Sequence, residues 1–238
     1  MHCLDHTLPT PAENLALDEA LLLTAEAGQG GEVLRLWEQP NFAVVVGAGC
    51  KLGDDVDEAR CQADGVPILR RSSGGGTVLL GPGCLCFSLV LAYDRSPLLR
   101  EVPFSYVYIL ERIREALTGL LPNVERAGTS DMMIAGQKFS GNAQQRKRNY
   151  LVHHGTLLYD FPLERISDYL RIPERQPQYR EGRGHGEFVC NLPATAEELK
   201  RRLRATWDAH EETTSWPVES VGELVETKYT QPVWTRRR

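Results

Sequence analysis

GTSDMMIAGQKFSGNAQQRKRNYLVHHGTLLYDF, residues 128–161, decides how this chain is read. DMMI and QKFSGNAQ flank Ala135-Gly136, a turn-prone dipeptide. The stretch therefore predicts a hairpin with Lys138 just past the bend, followed by a further strand over 150–161. Lys138 is the only lysine between Lys51 and Lys147. Gly136 precedes it, and Ser140, Gly141, Asn142 and Ala143 follow. A lysine among such small neighbours is either an ordinary solvated group or a cation that a ligand can approach closely. Arg146, Lys147 and Arg148 then form a basic cluster. His153 and His154 alternate across their strand, so one faces in and one out. A buried histidine there is either a satisfied core group or a ligand contact. Asp131 follows a Gly-Thr-Ser turn, which it caps unless it holds a cation.

A second stretch, RRSSGGGTV (70–78), places Arg70 and Arg71 at the end of a strand, before Ser72 and the glycines Gly74, Gly75 and Gly76. Three glycines allow positive φ and close approach of backbone to a ligand. Exposed N–H groups in such a loop can hold an anion, and arginine offers a fork for carboxylate or phosphate. No GxGxxG pattern or P-loop is present. The alternative is a glycine hairpin with surface arginines.

Outward from these two stretches, TPAENLALDEALLLTAEAG (10–28) opens with the capping box Thr10/Glu13 and Pro11 at the first helical position. Strands are predicted at 32–40, 42–49 and 66–71, with a short polar helix over 54–63. TVLLGPG (77–83) and the charge-free CLCFSLVLAY (84–93) predict a hairpin whose second arm is central. Cys84 and Cys86 share one face of it and read as core. FSYVYILERIREALTGLL (104–121) has apolar residues at helical spacing. Residues 162–172 predict a helix and 173–190 a surface loop. Two more capping boxes, Thr195/Glu198 and Ser220/Glu223, predict helices over 195–210 and from 220. Strands in runs, with helices between groups, predict an α+β fold on a mixed, mainly antiparallel sheet. No linker divides the chain, so one domain over 1–238 is expected.

The 238 residues carry a formal net charge of −5, which does not suit a nucleic-acid partner. The six cysteines show no paired CxxC spacing, so neither a zinc site nor a disulfide scaffold is indicated. The N-terminus lacks the features of a signal peptide, and no apolar run has the length of a membrane span. These features predict a cytoplasmic protein without a membrane partner.

LRLWEQPNFAVVVGAG, RRSSGGGTV, the run to Phe87-Ser88, GTSDMMIAGQKFSGNAQ and HHGTLLYDF follow in the order and spacing of the lipoate–protein ligase A family, which the chain resembles over roughly residues 12–235. The resemblance implies the α+β fold shared by biotin and lipoate ligases and class II tRNA synthetases, a central sheet flanked by helices. It also implies that lipoate or octanoate reacts with ATP to give an acyl-adenylate. The acyl group then passes to a lysine of a lipoyl-acceptor domain, such as a dehydrogenase-complex E2, a glycine-cleavage H-like protein or another lipoyl carrier.

The same resemblance assigns Lys138 the catalytic place. It puts Trp37, Arg70, Arg71, Ser72, Gly74, Gly75, Gly76 and His154 around the acyl group. Thr77, Val78, Asp131, Lys138, Gly141, Ala143, Gly155 and Thr156 fall around the nucleotide, with Mg²⁺ at Asp131. Residues 128–149 become an adenylate-binding loop ordered by ligand. Three departures stand out. Leu79, Leu80, Gly81 and Pro82 replace polar residues after the glycine loop. Ser130 replaces an asparagine. The chain ends where many members continue into an accessory domain, which leaves room for a separate accessory subunit. ATP-independent octanoyl- or lipoyl-transferases of the same fold use a cysteine shortly before the lysine hairpin. Residues 124–137 contain none. In the other transferase type the cysteine follows the HG-containing strand, where Cys190 is the candidate. A non-catalytic acyl- or carrier-binding module is the third reading.

Overall fold

The computed structural model describes residues 1–174 and 176–237. Arg175, within the stretch predicted as a loop, and the terminal Arg238 lie outside it. In chain order, β1 (His2–Asp5) leads into α1 (Pro11–Glu26), β2 (Val33–Glu38) and β3 (Ala43–Val46). Two short helices, α2 (Leu52–Asp55) and α3 (Glu58–Ala63), replace the single one predicted. Then come β4 (Ile68–Arg70), β5 (Val78–Leu80), β6 (Cys84–Ala92), α4 (Val102–Thr118), β7 (Val124–Ala127), β8 (Asp131–Ile134), β9 (Gln137–Arg146) and β10 (Tyr150–Leu158). The chain closes with α5 (Arg165–Tyr169), α6 (His185–Phe188), α7 (Ala196–Thr206), β11 (Glu211–Glu212), α8 (Val218–Leu224), a π-helical stretch (Val225–Tyr229) and α9 (Pro232–Thr235).

The large sheet has the order β11-β1-β2-β6-β10-β9-β8-β7, and a small one the order β4-β3-β5. In the large sheet all pairings from β2 across to β7 are antiparallel and β1 pairs parallel with both neighbours; in the small sheet β3 pairs parallel with β4 and antiparallel with β5. The fold is thus α+β with a mainly antiparallel sheet, as the strand runs predict. β6 is central and buried along nearly its whole length, because both its faces are covered. Leu85, Phe87, Leu89 and Leu91 meet Ile109, Ile113 and Leu117 of α4, while Cys84, Cys86 and Val90 join Leu17 and Leu21 of α1 and Val44 of the small sheet. With no solvated face, the strand has no position for a charge.

Three expectations change. β5 and β6 form no hairpin: β5 pairs with β3, and Gly81–Gly83 carries the chain from one sheet to the other. The last capping box is absent, since α8 begins at Val218, before Ser220. The Thr10/Glu13 box is complete, whereas at α7 only Thr195 caps, because Glu198 turns to Arg201 and Arg202. Among the described residues, no helix is long and apolar enough to cross a membrane.

Candidate active site

The space between the large sheet and the glycine loop holds two connected compartments. The inner one, about 140 Å³, is walled by apolar groups such as Leu15, Trp37, Val45 and Cys86. The outer groove, about 390 Å³, runs under α5 and α6 and is edged by Arg171, Arg180 and His185. Gly76, Thr77, Val78, Asp131, Lys138, Gly141 and Thr156 border both. Lys138 therefore stands where the two spaces meet.

The hairpin places it there. Ala135 and Gly136 both take positive φ (49° and 76°), the conformation of a tight two-residue turn. A register shift between Met132 and Met133 then sets Asp131 opposite Gly141, with Lys138 paired to Met133. The ammonium of Lys138 lies 2.9 Å from Asp131 Oδ1, and the pair is only partly exposed. The hydroxyl of Tyr179 donates to Asp131 Oδ2. Gly141 lies beneath this pair: a Cβ there would come within 2.9 Å of Lys138 Nζ.

Residues 128–149 consequently form two strands with a short turn rather than a loop, because β9 is hydrogen-bonded to both β8 and β10. The segment predicted as a surface loop lies over the site instead. Cys190 N–H donates to Lys138 O at 2.9 Å, and Arg183 reaches Gly136 O at 2.9 Å. Tyr179 stacks on Phe188.

The glycine loop separates the two arginines. Successive residues of a strand point to opposite sides. Arg71 lines the inner compartment, where its guanidinium curls the loop by donating to Gly74 O at 2.6 Å and Gly76 O at 2.8 Å. Burial lowers it to about 10, so it remains a cation at neutral pH. Arg70 points away and donates to the carbonyls of Gly47, Cys50 and Thr235 at 2.7, 2.8 and 2.9 Å. Ser72 donates to Gln145 Oε1 at 2.5 Å. Arg70, Ser72 and Gly74 thus lie outside the lining of both compartments, whereas Gly75, Gly76, Thr77 and Val78 border the inner one. Gly75 (φ +85°) packs so closely on Gly47 that a Cβ on Gly47 would meet Gly75 O at 1.9 Å.

On β10 the alternation resolves the two histidines. His154, Gly155 and Thr156 border the inner compartment with Ala143 and Trp37. A Cβ on Gly155 would come within 2.0 Å of Asn142 Oδ1, so the packing here admits no side chain. His153 faces α4, fully buried between Phe87 and Tyr106. Its Nδ1 accepts from Gln144 and its Nε2 donates to Asn142 Oδ1, both at 3.1 Å. Burial pushes it down to about 3. The unfolded chain, with an ordinary value near 6.5, binds this proton first. Stability from this group is therefore full above about pH 6.5 and falls by up to about 1.4 kcal/mol per pH unit as pH drops towards the folded value. His153→Gln is expected to flatten the fall in denaturant midpoint between about pH 7.5 and 5. An equally steep fall in the variant would exclude His153 as its source.

Sequence reasoning missed Asp18, Arg35, Ser73 and Tyr179. Arg35 left one signal, a charge inside the otherwise apolar LRLW of β2. Among the described residues, no cluster of three His, Cys, Asp or Glu could cage a metal ion. Asp131 is a single carboxylate, engaged by Lys138 and Tyr179, so a cation held there would need its other ligands from a bound molecule.

The profile of the lipoyl protein ligase A/B catalytic domain matches residues 10–207. The chain belongs to that family. "Probable lipoate-protein ligase A" of Mycoplasma pneumoniae is 30% identical over 162 residues, 68% of this chain and 46% of that protein. The chain therefore spans about half the length of that relative. "Octanoyltransferase LipM" of Carboxydothermus hydrogenoformans is 30% identical over 195 residues, 74% of this chain and 71% of the other. A solved lipoate-protein ligase A bound with ATP shares the fold, with a TM-score of 0.84 at 21% identity over 99% of this chain and 98% of that one.

Proposed function

We propose that this family member is an ATP-dependent lipoate– or octanoate–protein ligase. One observation carries the reading: the Lys138–Asp131 pair stands at the junction between an apolar compartment and a groove edged with basic groups. The acyl chain fills the inner compartment against Trp37, and its carboxylate emerges at Lys138. The nucleotide lies in the outer groove, along Thr77, Val78, Gly141 and Thr156. Lys138 offsets the repulsion between carboxylate and α-phosphate and the charge that develops as they react. A carboxylate oxygen bonds to the α-phosphorus, the bond to the bridging oxygen breaks, and pyrophosphate leaves with its electron pair. The neutral amine of an acceptor-domain lysine then attacks the acyl carbon, loses a proton, and AMP departs. Asp131 is the residue that would hold a magnesium ion, which would supply charge neutralisation there. Residues 1–238 act as one catalytic domain.

The LipM relative favours a second reading, acyl transfer through a cysteine thioester, which needs a thiolate at the site. The thiols here argue against it. Cys86 lines the inner compartment, but its hydrogen bond with Cys84 and its burial push it well up. Burial also raises Cys190, which lies 3.8 Å from Gln137 O. The deciding assay combines purified protein, an apo lipoyl domain and lipoate or octanoate, with and without ATP. Acylation from the free acid only with ATP is expected. Transfer from an acylated carrier without ATP would select the transferase.

A further inference from the structure

A line of buried polar groups runs behind the inner compartment. Ser73, 1% exposed, accepts from Arg71 Nε at 3.0 Å, and its Oγ lies 2.5 Å from His154 Nε2. On the far side of the ring, His154 Nδ1 lies 3.5 Å from Asp18 Oδ2. Asp18 Oδ1 receives Arg35 Nη1 at 2.7 Å, and Arg35, fully buried, also donates to Asn14 Oδ1 at 2.6 Å.

One arrangement of protons fits this line. Arginine only donates, so Ser73 Oγ accepts from Arg71, which leaves its own proton free to point to His154 Nε2. Burial by itself would raise the Asp18 carboxyl, but Arg35, His154 and Ser88 together hold it below the usual carboxylate range. Asp18 is therefore an acceptor, and the ring proton sits on Nδ1. The line also has mechanical content. Arg71 sets the curl of the glycine loop through Gly74 O and Gly76 O. Its Nη1 donates to Val45 O at 3.3 Å, and its Nε reaches Ser73 Oγ, whose contact with His154 joins the loop to β10 of the large sheet.

We propose that Ser73 and Asp18 are positioning residues that hold the His154 ring with its proton on Nδ1, and that this relay latches the glycine loop over the acyl compartment. The proposal rests on reading the inner compartment as the acyl site, and it gives His154 a role through the loop besides its place on the compartment wall.

The test is ¹⁵N NMR of histidine-labelled full-length protein together with calorimetry using octanoate as the probe. Wild type is expected to show a protonated Nδ1 and a bare Nε2 at His154. Ser73→Ala should mix the tautomers and weaken octanoate binding about fivefold to tenfold, the loss of roughly one hydrogen bond. Ser73→Thr, which keeps the hydroxyl, should restore both. Should Ser73→Ala fold poorly, Asp18→Asn combined with Arg35→Leu removes both buried charges together and should also mix the tautomers. A proton on Nε2 in wild type, or an unchanged ring pattern or affinity in the variants, overturns the proposal. Failure of the ligase reading would appear separately, as no ATP-dependent transfer from a protein whose His154 pattern is as expected.

Discussion

Lys138→Ala should lower the rate of pyrophosphate release with lipoate or octanoate by at least about 10²–10³-fold, the range found when one electrostatic donor to a developing charge is removed. The fold should survive. The side chain of Lys138 makes one ion pair, with Asp131, and is a quarter exposed. Its structural duties belong to the backbone, in the pairing with Met133 and in accepting from Cys190 N–H, and alanine preserves both. Removing the ammonium also leaves the Asp131 carboxylate with Tyr179 as its close partner and without its ion pair, at the point where the proposed reaction joins two anions. The loss should therefore appear in kcat, and also in KM if the ammonium already holds the ground-state carboxylate. Lys138→Arg should not rescue, because a planar guanidinium does not place its charge where the compact ammonium does. Pyrophosphate release within about threefold of wild type would remove Lys138 from the chemistry.

Much of this site is legible in the chain because its local signals agree. Ala135-Gly136 marks the bend, the small residues after Lys138 mark a crowded strand, and the charge-free run of β6 marks a strand covered on both faces. What failed to show depends on partners distant in sequence. Val78–Leu80 has the pattern of a hairpin arm, but only the three-dimensional pairing with Ala43–Val45 reveals that it belongs to another sheet. The segment 173–190 lacks periodicity because it is ordered by individual contacts, such as Arg183 on Gly136 O and Tyr179 on Asp131, 48 residues away. The adjacent Arg70 and Arg71 were partly decidable: side chains that alternate along a strand cannot both face one ligand. Which of them faces away was set by the C-terminal residues, since Trp234 Nε1 donates to Arg70 O and Thr235 O accepts from Arg70.

Arg35→Leu should cost about 3–5 kcal/mol of folding stability, the usual result of breaking a buried ion pair from one side. Arg35 is fully buried and is held by Asp18, by both oxygens of Asn14 and by His6 O. Leucine removes every one of those donors and leaves the Asp18 carboxylate, on the wall of the inner compartment, without its main counter-charge. For a chain of this length, that loss corresponds to a fall in Tm of about 10 °C. Two further outcomes distinguish an uncompensated charge from lost packing. Replacing Asp18 by leucine as well should recover part of the loss, since the pair is then exchanged for apolar groups. The defect of the single variant should also shrink as pH falls. Without Arg35, burial raises the Asp18 carboxyl above its unfolded value. The folded state then binds the proton more readily than the unfolded chain, and acid relatively stabilises it. If the double variant is no more stable than the single one, and the defect is as large at about pH 5 as at about pH 7.5, then Arg35 acts through shape and hydrogen bonding rather than through its charge.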